Sequence, residues 1–143
     1  RLIGYENRVL SQEDFEDDSK DAGEIGAGQN ITALYEIIPN TNILNRSSPT
    51  FTVDFRYKLP DSDSSIPMEL ENFDDGNSFS SSSDYMKFTA SIASFSMLLT
   101  NSQYKGRSNY EEVLNWLDDT DLSDEYGFKR ELKQVIEKAS TFD

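Results

Sequence analysis

Carboxylates are the abundant chemical group in this sequence, and their densest run could hold a hard cation. From Glu13 to Glu24 the chain carries Glu13, Asp14, Glu16, Asp17, Asp18, Asp21 and Glu24 against a lone Lys20. Calcium takes several oxygen ligands from a shaped loop. The candidate metal ligands are therefore Asp14, Asp17, Asp18, Asp21 and Glu24. An EF-hand needs alternating acids, a central glycine and a glutamate at its twelfth position. Counted from Asp14, the sixth position is Ser19 and the twelfth Ile25; counted from Asp17, the twelfth is Gly28. That pattern fails. A looser calcium-binding module using residues 13–24 stands beside the plainer alternative, a solvated acidic loop.

Other chemistry finds less to work with. The chain has no His and no Cys, which removes imidazole acid–base catalysis, thiolate nucleophiles, disulfides and Cys or His zinc sites. Serines lack a histidine base, and no Gly-x-Ser-x-Gly elbow occurs. A carbohydrate-active enzyme would need two carboxylates at a fixed separation in a cleft, and 27 acids do not single out a pair. Gly26-Ala27-Gly28 precedes a strand-like run, so it offers no helix N-terminus to a phosphate and reads as a tight turn. Trp116 sits among helical apolar residues and reads as core, with a surface anchor as the alternative. The expectation is a non-catalytic chain with no cofactor.

The balance of 13 basic to 27 acidic residues gives a net charge of −14. Phosphate backbones and anionic membrane surfaces are disfavoured, since both are bound through Lys and Arg. Nucleic acid is not an expected partner; the charge serves solubility or attracts basic partners and cations. The most apolar helical stretch, near Asp84 to Thr100, carries Lys87 and several serines, so direct membrane insertion is not expected.

The elements that must position these residues come in the order strands, then helices. Leu2 to Leu10 reads as an opening strand, and 13–24 as a loop with one helical turn near Asp14–Asp18. Ile31 to Ile38 is apolar on both faces and predicts a central strand ended by Pro39. Phe51, Val53, Phe55 and Tyr57 alternate with Thr52, Asp54, Arg56 and Lys58, predicting a strand with one face buried and the other wet. Pro67 to Glu71 would pair with it across a hairpin loop at Pro60 to Ser65. Residues 74–83 form a Ser-rich linker.

Beyond the linker the period becomes helical. Tyr85, Phe88, Ile92, Phe95 and Leu99 predict a first apolar stripe, with Ala90 and Ala93 allowing close approach. A second helix starts at Ser108, three residues before Glu111 in a capping-box spacing, and presents Tyr110, Val113, Leu114 and Leu117. The turn before it holds the one basic patch, Tyr104-Lys105-Gly106-Arg107. A third helix spans about Glu125 to Ser140 and presents Phe128, Leu132, Val135, Ile136 and Ala139. Asp118, Asp119, Asp121, Asp124 and Glu125 lie where they would cap it. The fold class is α+β: an antiparallel sheet or partial sandwich over 1–73, the linker 74–83, and three helices over 84–143, together one structural unit.

Several of these stretches form a signature. Arg1 to Arg8, Glu13-Asp14-Phe15, Asp21 to Gly28 and Thr32 to Ile37 are joined by Val53 to Lys58, Ala93 to Leu99, Tyr104-Lys105-Gly106, Tyr110 to Leu114 and Gly127 to Leu132. The set resembles the C-terminal region, of unknown function, of bacterial von Willebrand factor type A (VWA) domain proteins. The resemblance runs from Arg1 to about Ala139. It implies that a VWA domain precedes this region in a longer protein, that this domain and a further protein are its partners, and that it works at the bacterial cell envelope, outside the cytoplasm. VWA domains hold a divalent metal through Asp-x-Ser-x-Ser; Asp61-Ser62-Asp63-Ser64-Ser65 has a different spacing, so no ligand carries over. Gln29 stands where family members often have His.

Overall fold

The computed structural model describes residues 1–3, 11–20, 23–39 and 48–142. It has the α+β order expected: β1 (Leu2–Ile3), α1 (Gln12–Phe15), β2 (Leu34–Tyr35), β3 (Phe51–Tyr57), β4 (Ile66–Asn72), then α2 (Asp84–Leu99), α3 (Tyr110–Asp118) and α4 (Phe128–Ala139). The chain forms two compact units, Arg1–Gly76 and Asn77–Asp143, and their boundary falls inside the Ser-rich stretch.

In the first unit β1 pairs antiparallel with β2, Leu2 opposite Tyr35 and Ile3 opposite Leu34. The Arg1 ammonium donates to the Glu36 carbonyl at 2.8 Å, and its guanidinium pairs with the Glu36 carboxylate at 2.6 Å. Residues 4–10 of the expected opening strand lie outside the described residues. Ile31 to Ile38 is not a central strand here. Among the described residues only Leu34 and Tyr35 join a ladder, with β1 alone as neighbour, and Ile31, Ile37 and Ile38 are exposed.

β3 and β4 make the longer hairpin, with Phe51 opposite Asn72, Val53 opposite Leu70, Phe55 opposite Met68 and Tyr57 opposite Ile66. Directly opposed residues share a face, so these apolar side chains form one surface. Thr52, Asp54 and Arg56, opposite Glu71, Glu69 and Pro67, form the other. The prediction that the apolar face is buried fails: Phe55 is 57% exposed, Met68 58% and Leu70 65%. The cause lies in what covers the ribbon. Arg56, on the polar face, reaches back to the segment that carries α1: its guanidinium lies 6.0 Å from the Phe15 ring centroid and 3.4 Å from an Asp18 carboxylate oxygen. Within this unit, no second layer of described residues meets the opposite face.

The helical unit has a core of Phe95, Val113, Leu117 and Ile136, with Phe88, Leu98, Tyr110, Leu114, Leu132 and Ala139 packed around it. α3 is central, since both α2 and α4 pack against it. Its predicted apolar positions are the ones that face inward. Those of α2 do not all do so. The face it buries is Lys87, Ser91, Ser94 and Phe95, while Tyr85, Ile92 and Leu99 are exposed. Serines let the helices approach closely, and the Ser91 hydroxyl satisfies itself on the Lys87 carbonyl at 2.8 Å. α4 likewise buries Ile136 but exposes Phe128 and Val135.

The ends of these helices are chemically specified. Ser83 caps α2, accepting from the Met86 N–H at 3.2 Å. The far end closes in a Schellman turn: Asn101 takes a φ of 47°, its N–H donates to the Leu98 carbonyl, and the Ser102 N–H donates to that of Met97. The cap of α3 is Asn109 rather than Ser108, with its side-chain oxygen 2.9 Å from the Glu112 nitrogen. α4 starts one turn later than expected because Gly127, at a φ of 76°, breaks the helix on its N-terminal side. Residues of the expected linker are also used: Phe79 sits in a 3-10 turn, and its ring meets that of half-buried Trp116 edge-on at 4.9 Å.

Of the acids between α3 and α4, Asp124 performs the expected capping. Its two carboxylate oxygens accept from the Lys129 N–H at 2.8 Å and the Arg130 N–H at 3.0 Å. The Lys129 hydrogen bond above all holds the Asp124 pKa below its ordinary 3.8. A carboxyl depressed in the folded state stabilises fully above its unfolded pKa and loses that contribution as pH falls through the folded value. Helicity of α4 should therefore fade on acidification below about 3.8, and Asp124→Asn should flatten that acid limb in a circular-dichroism pH titration. Asp118 and Asp119 serve differently: they pair with Lys133 at 2.7 Å and Lys87 at 2.6 Å, tying α3 to both neighbours.

Candidate functional site

Two surfaces are candidate sites, the acidic run and the apolar face of the hairpin. The acidic run begins with α1, capped by Ser11, whose hydroxyl accepts from the Asp14 N–H at 3.2 Å and donates to the Asp14 carboxylate at 2.8 Å. Asp14 also pairs with Lys20 at 3.2 Å. Asp17 accepts from the Ser19 hydroxyl at 2.7 Å and the Ser19 N–H at 2.9 Å, which lowers its pKa.

Asp18 reaches furthest in sequence. It accepts from the Ser65 N–H at 3.3 Å and lies 3.4 Å from Arg56, while its own carbonyl accepts from the Lys58 ammonium. Hydrogen bonding from Ser65, then the Arg56 and Lys58 charges, hold its carboxyl below the usual range. Glu24 is exposed, and Asp21 lies outside the described residues. Among the described residues, no three acidic side chains converge in a way that could hold a metal ion. Asp14, Asp17 and Asp18 are instead turned to local caps and to the hairpin.

Two other sequence features are turns. The Gly26 N–H donates to the Gln29 side-chain oxygen at 2.8 Å, the Gln29 N–H returns to the Gly26 carbonyl, and Gly28 takes a φ of 77° that favours glycine. Asp61, at a φ of 62°, turns the hairpin loop, and the Ser65 hydroxyl accepts from the Arg56 guanidinium at 2.6 Å and 2.9 Å. No helix among the described residues is long and apolar enough to cross a membrane.

The hairpin face is the surface that sequence reasoning misplaced. Val53, Phe55, Tyr57, Ile66, Met68 and Leu70 form a contiguous apolar patch on one side of a ladder seven residues long. Its strict alternation was the signal; what alternation does not reveal is whether anything lies across the face. Contiguous exposed apolar surface of this kind marks interaction sites more often than scattered apolar residues do.

The chain matches the family model described as "Uncharacterized protein YfbK, C-terminal" over residues 1–46 and 40–142. Uncharacterized protein YfbK of Escherichia coli (strain K12) is 31% identical over 155 residues, an alignment covering 97% of this chain and 26% of that protein. The chain thus spans about a quarter of the length of this curated relative. No solved structure matches. These matches agree with the resemblance to a C-terminal region of unknown function, and the chain belongs to the family of YfbK C-terminal regions.

Proposed function

We propose that this chain is a non-catalytic interaction module that packs beside the VWA domain of a longer protein, at the bacterial cell envelope, and helps present that domain to a protein partner. The observation that carries the reading is the uncovered apolar face of β3 and β4. A relative about four times as long supplies sequence that could cover it. The VWA domain and the envelope location come from the resemblance of Arg1 to Ala139 to regions that follow such domains.

The test mixes the chain with a separately produced VWA domain from the same longer protein and measures the heat of binding. Val53→Ser, Phe55→Ser and Met68→Ser together should weaken binding by about a hundredfold, since each removes apolar area worth roughly 1 kcal/mol when buried. The hairpin should survive, because these side chains are exposed. Binding equal to that of the parent would remove the face from the contact, and no binding by the parent would remove the reading.

A further inference from the structure

Resting on the reading of the hairpin face as a docking surface, we infer that its occupant is an extended apolar protein segment flanked at both ends by Lys or Arg. The apolar strip runs the length of β3 and β4, seven residues each, or roughly 20 Å at the rise of a strand. Acids bound it at both ends. Asp61 and Asp63 lie in the loop that joins the strands, and Asp74 and Asp75 follow β4 at the opposite end. The strands themselves add Asp54, Glu69 and Glu71 on the other face. Among the described residues of the hairpin the cations are Arg56 and Lys58, and neither balances this charge at the strip, because both are directed to Asp18.

Charge also selects among occupants. A second copy would bring another −14 against this one and set aspartate pairs against aspartate pairs. An acidic partner meets the same repulsion. A segment with an apolar centre and basic ends satisfies both features at once: its centre removes the strip from water, and its ends answer the two acidic borders.

The experiment uses the full chain and two synthetic strand peptides with one alternating Val-Thr centre, one bearing two lysines at each end and the other two glutamates. The lysine peptide should bind at least about tenfold more tightly at low salt, with the preference shrinking as salt rises. Phe55→Ser with Met68→Ser should abolish binding. The fourfold change of Asp61, Asp63, Asp74 and Asp75 to Asn should leave the centre bound but erase the preference for lysine. Equal binding of both peptides, lost only in the Phe55→Ser and Met68→Ser variant, would overturn the basic flanks while leaving the docking face standing. Lysine-peptide binding that survives in the Phe55→Ser and Met68→Ser variant would overturn the inference, as would binding of neither peptide, while the docking face itself stands or falls with the VWA-domain titration. A stable dimer at low salt in sedimentation, lost in the same variant, would make a second copy the occupant and overturn the inference.

Discussion

Leu117→Ala should cost the helical unit about 3 kcal/mol, a large share of what so small a unit can have. Leu117 is fully buried and, with Phe95, Val113 and Ile136, makes up the four buried apolar residues among those described. It lies on α3, which both other helices pack against, so no neighbour can close the resulting cavity without moving a helix. The cost therefore includes the lost transfer energy and the cavity left behind. Val135→Ala, at an α4 residue that is 49% exposed, should cost less than about 1 kcal/mol. Urea denaturation followed by helical circular dichroism reports on this unit, which holds nearly all the helix among the described residues. Equal midpoints for the two variants would mean that the core is not where these contacts put it.

How far the fold was legible depended on what each signal encodes. On α3, the spacing of Tyr110, Val113, Leu114 and Leu117 predicts the inner face and these residues pack there, because the helix is apolar on one side only. On α2 the stripe is legible only in part: Phe88 and Phe95 pack in the core, but the rest is out of phase. The apolar residues Tyr85, Ile92 and Leu99 lie outside, while the inner face is built from Lys87, Ser91, Ser94 and Phe95. Hydropathy does not count serines as core, yet a serine bonded to its own helix occupies little space and allows close approach. The capping box was one residue out because Asn109 also has a glutamate three residues on, and the amide won over Ser108. For the candidate site, the strands and their alternation were legible, and the cover was not. The Asp18 contacts could not be read at all: Arg56 and Ser65 lie 38 and 47 residues away, and nothing local distinguishes Asp18 from its acidic neighbours.

Lys87 gives the sharpest test of how the helical unit handles charge. Its side chain is 10% exposed, and its ammonium donates at 2.6 Å to Asp119, whose side chain is 68% exposed. The pair is thus asymmetric. The cation is withdrawn from water, and the anion reaches in from the surface. Asp119→Ala removes the partner and leaves the ammonium desolvated, whereas Lys87→Met removes the charge and keeps a side chain of similar length. Breaking a fully buried pair from one side costs about 3–5 kcal/mol; with the anion in contact with solvent, about 2 kcal/mol is the expected cost of Asp119→Ala. Lys87→Met should be neutral or stabilising, since an apolar side chain needs no counter-ion. The double variant should then resemble Lys87→Met alone, because Asp119 has little to do once the cation is gone. That non-additivity is the measurement that decides. If Asp119→Ala changed stability by no more than an ordinary surface substitution and the two effects simply added, the Lys87 ammonium would be finding water by another route, and the tie between α2 and α3 would rest on the apolar packing around Phe95, Val113 and Leu117.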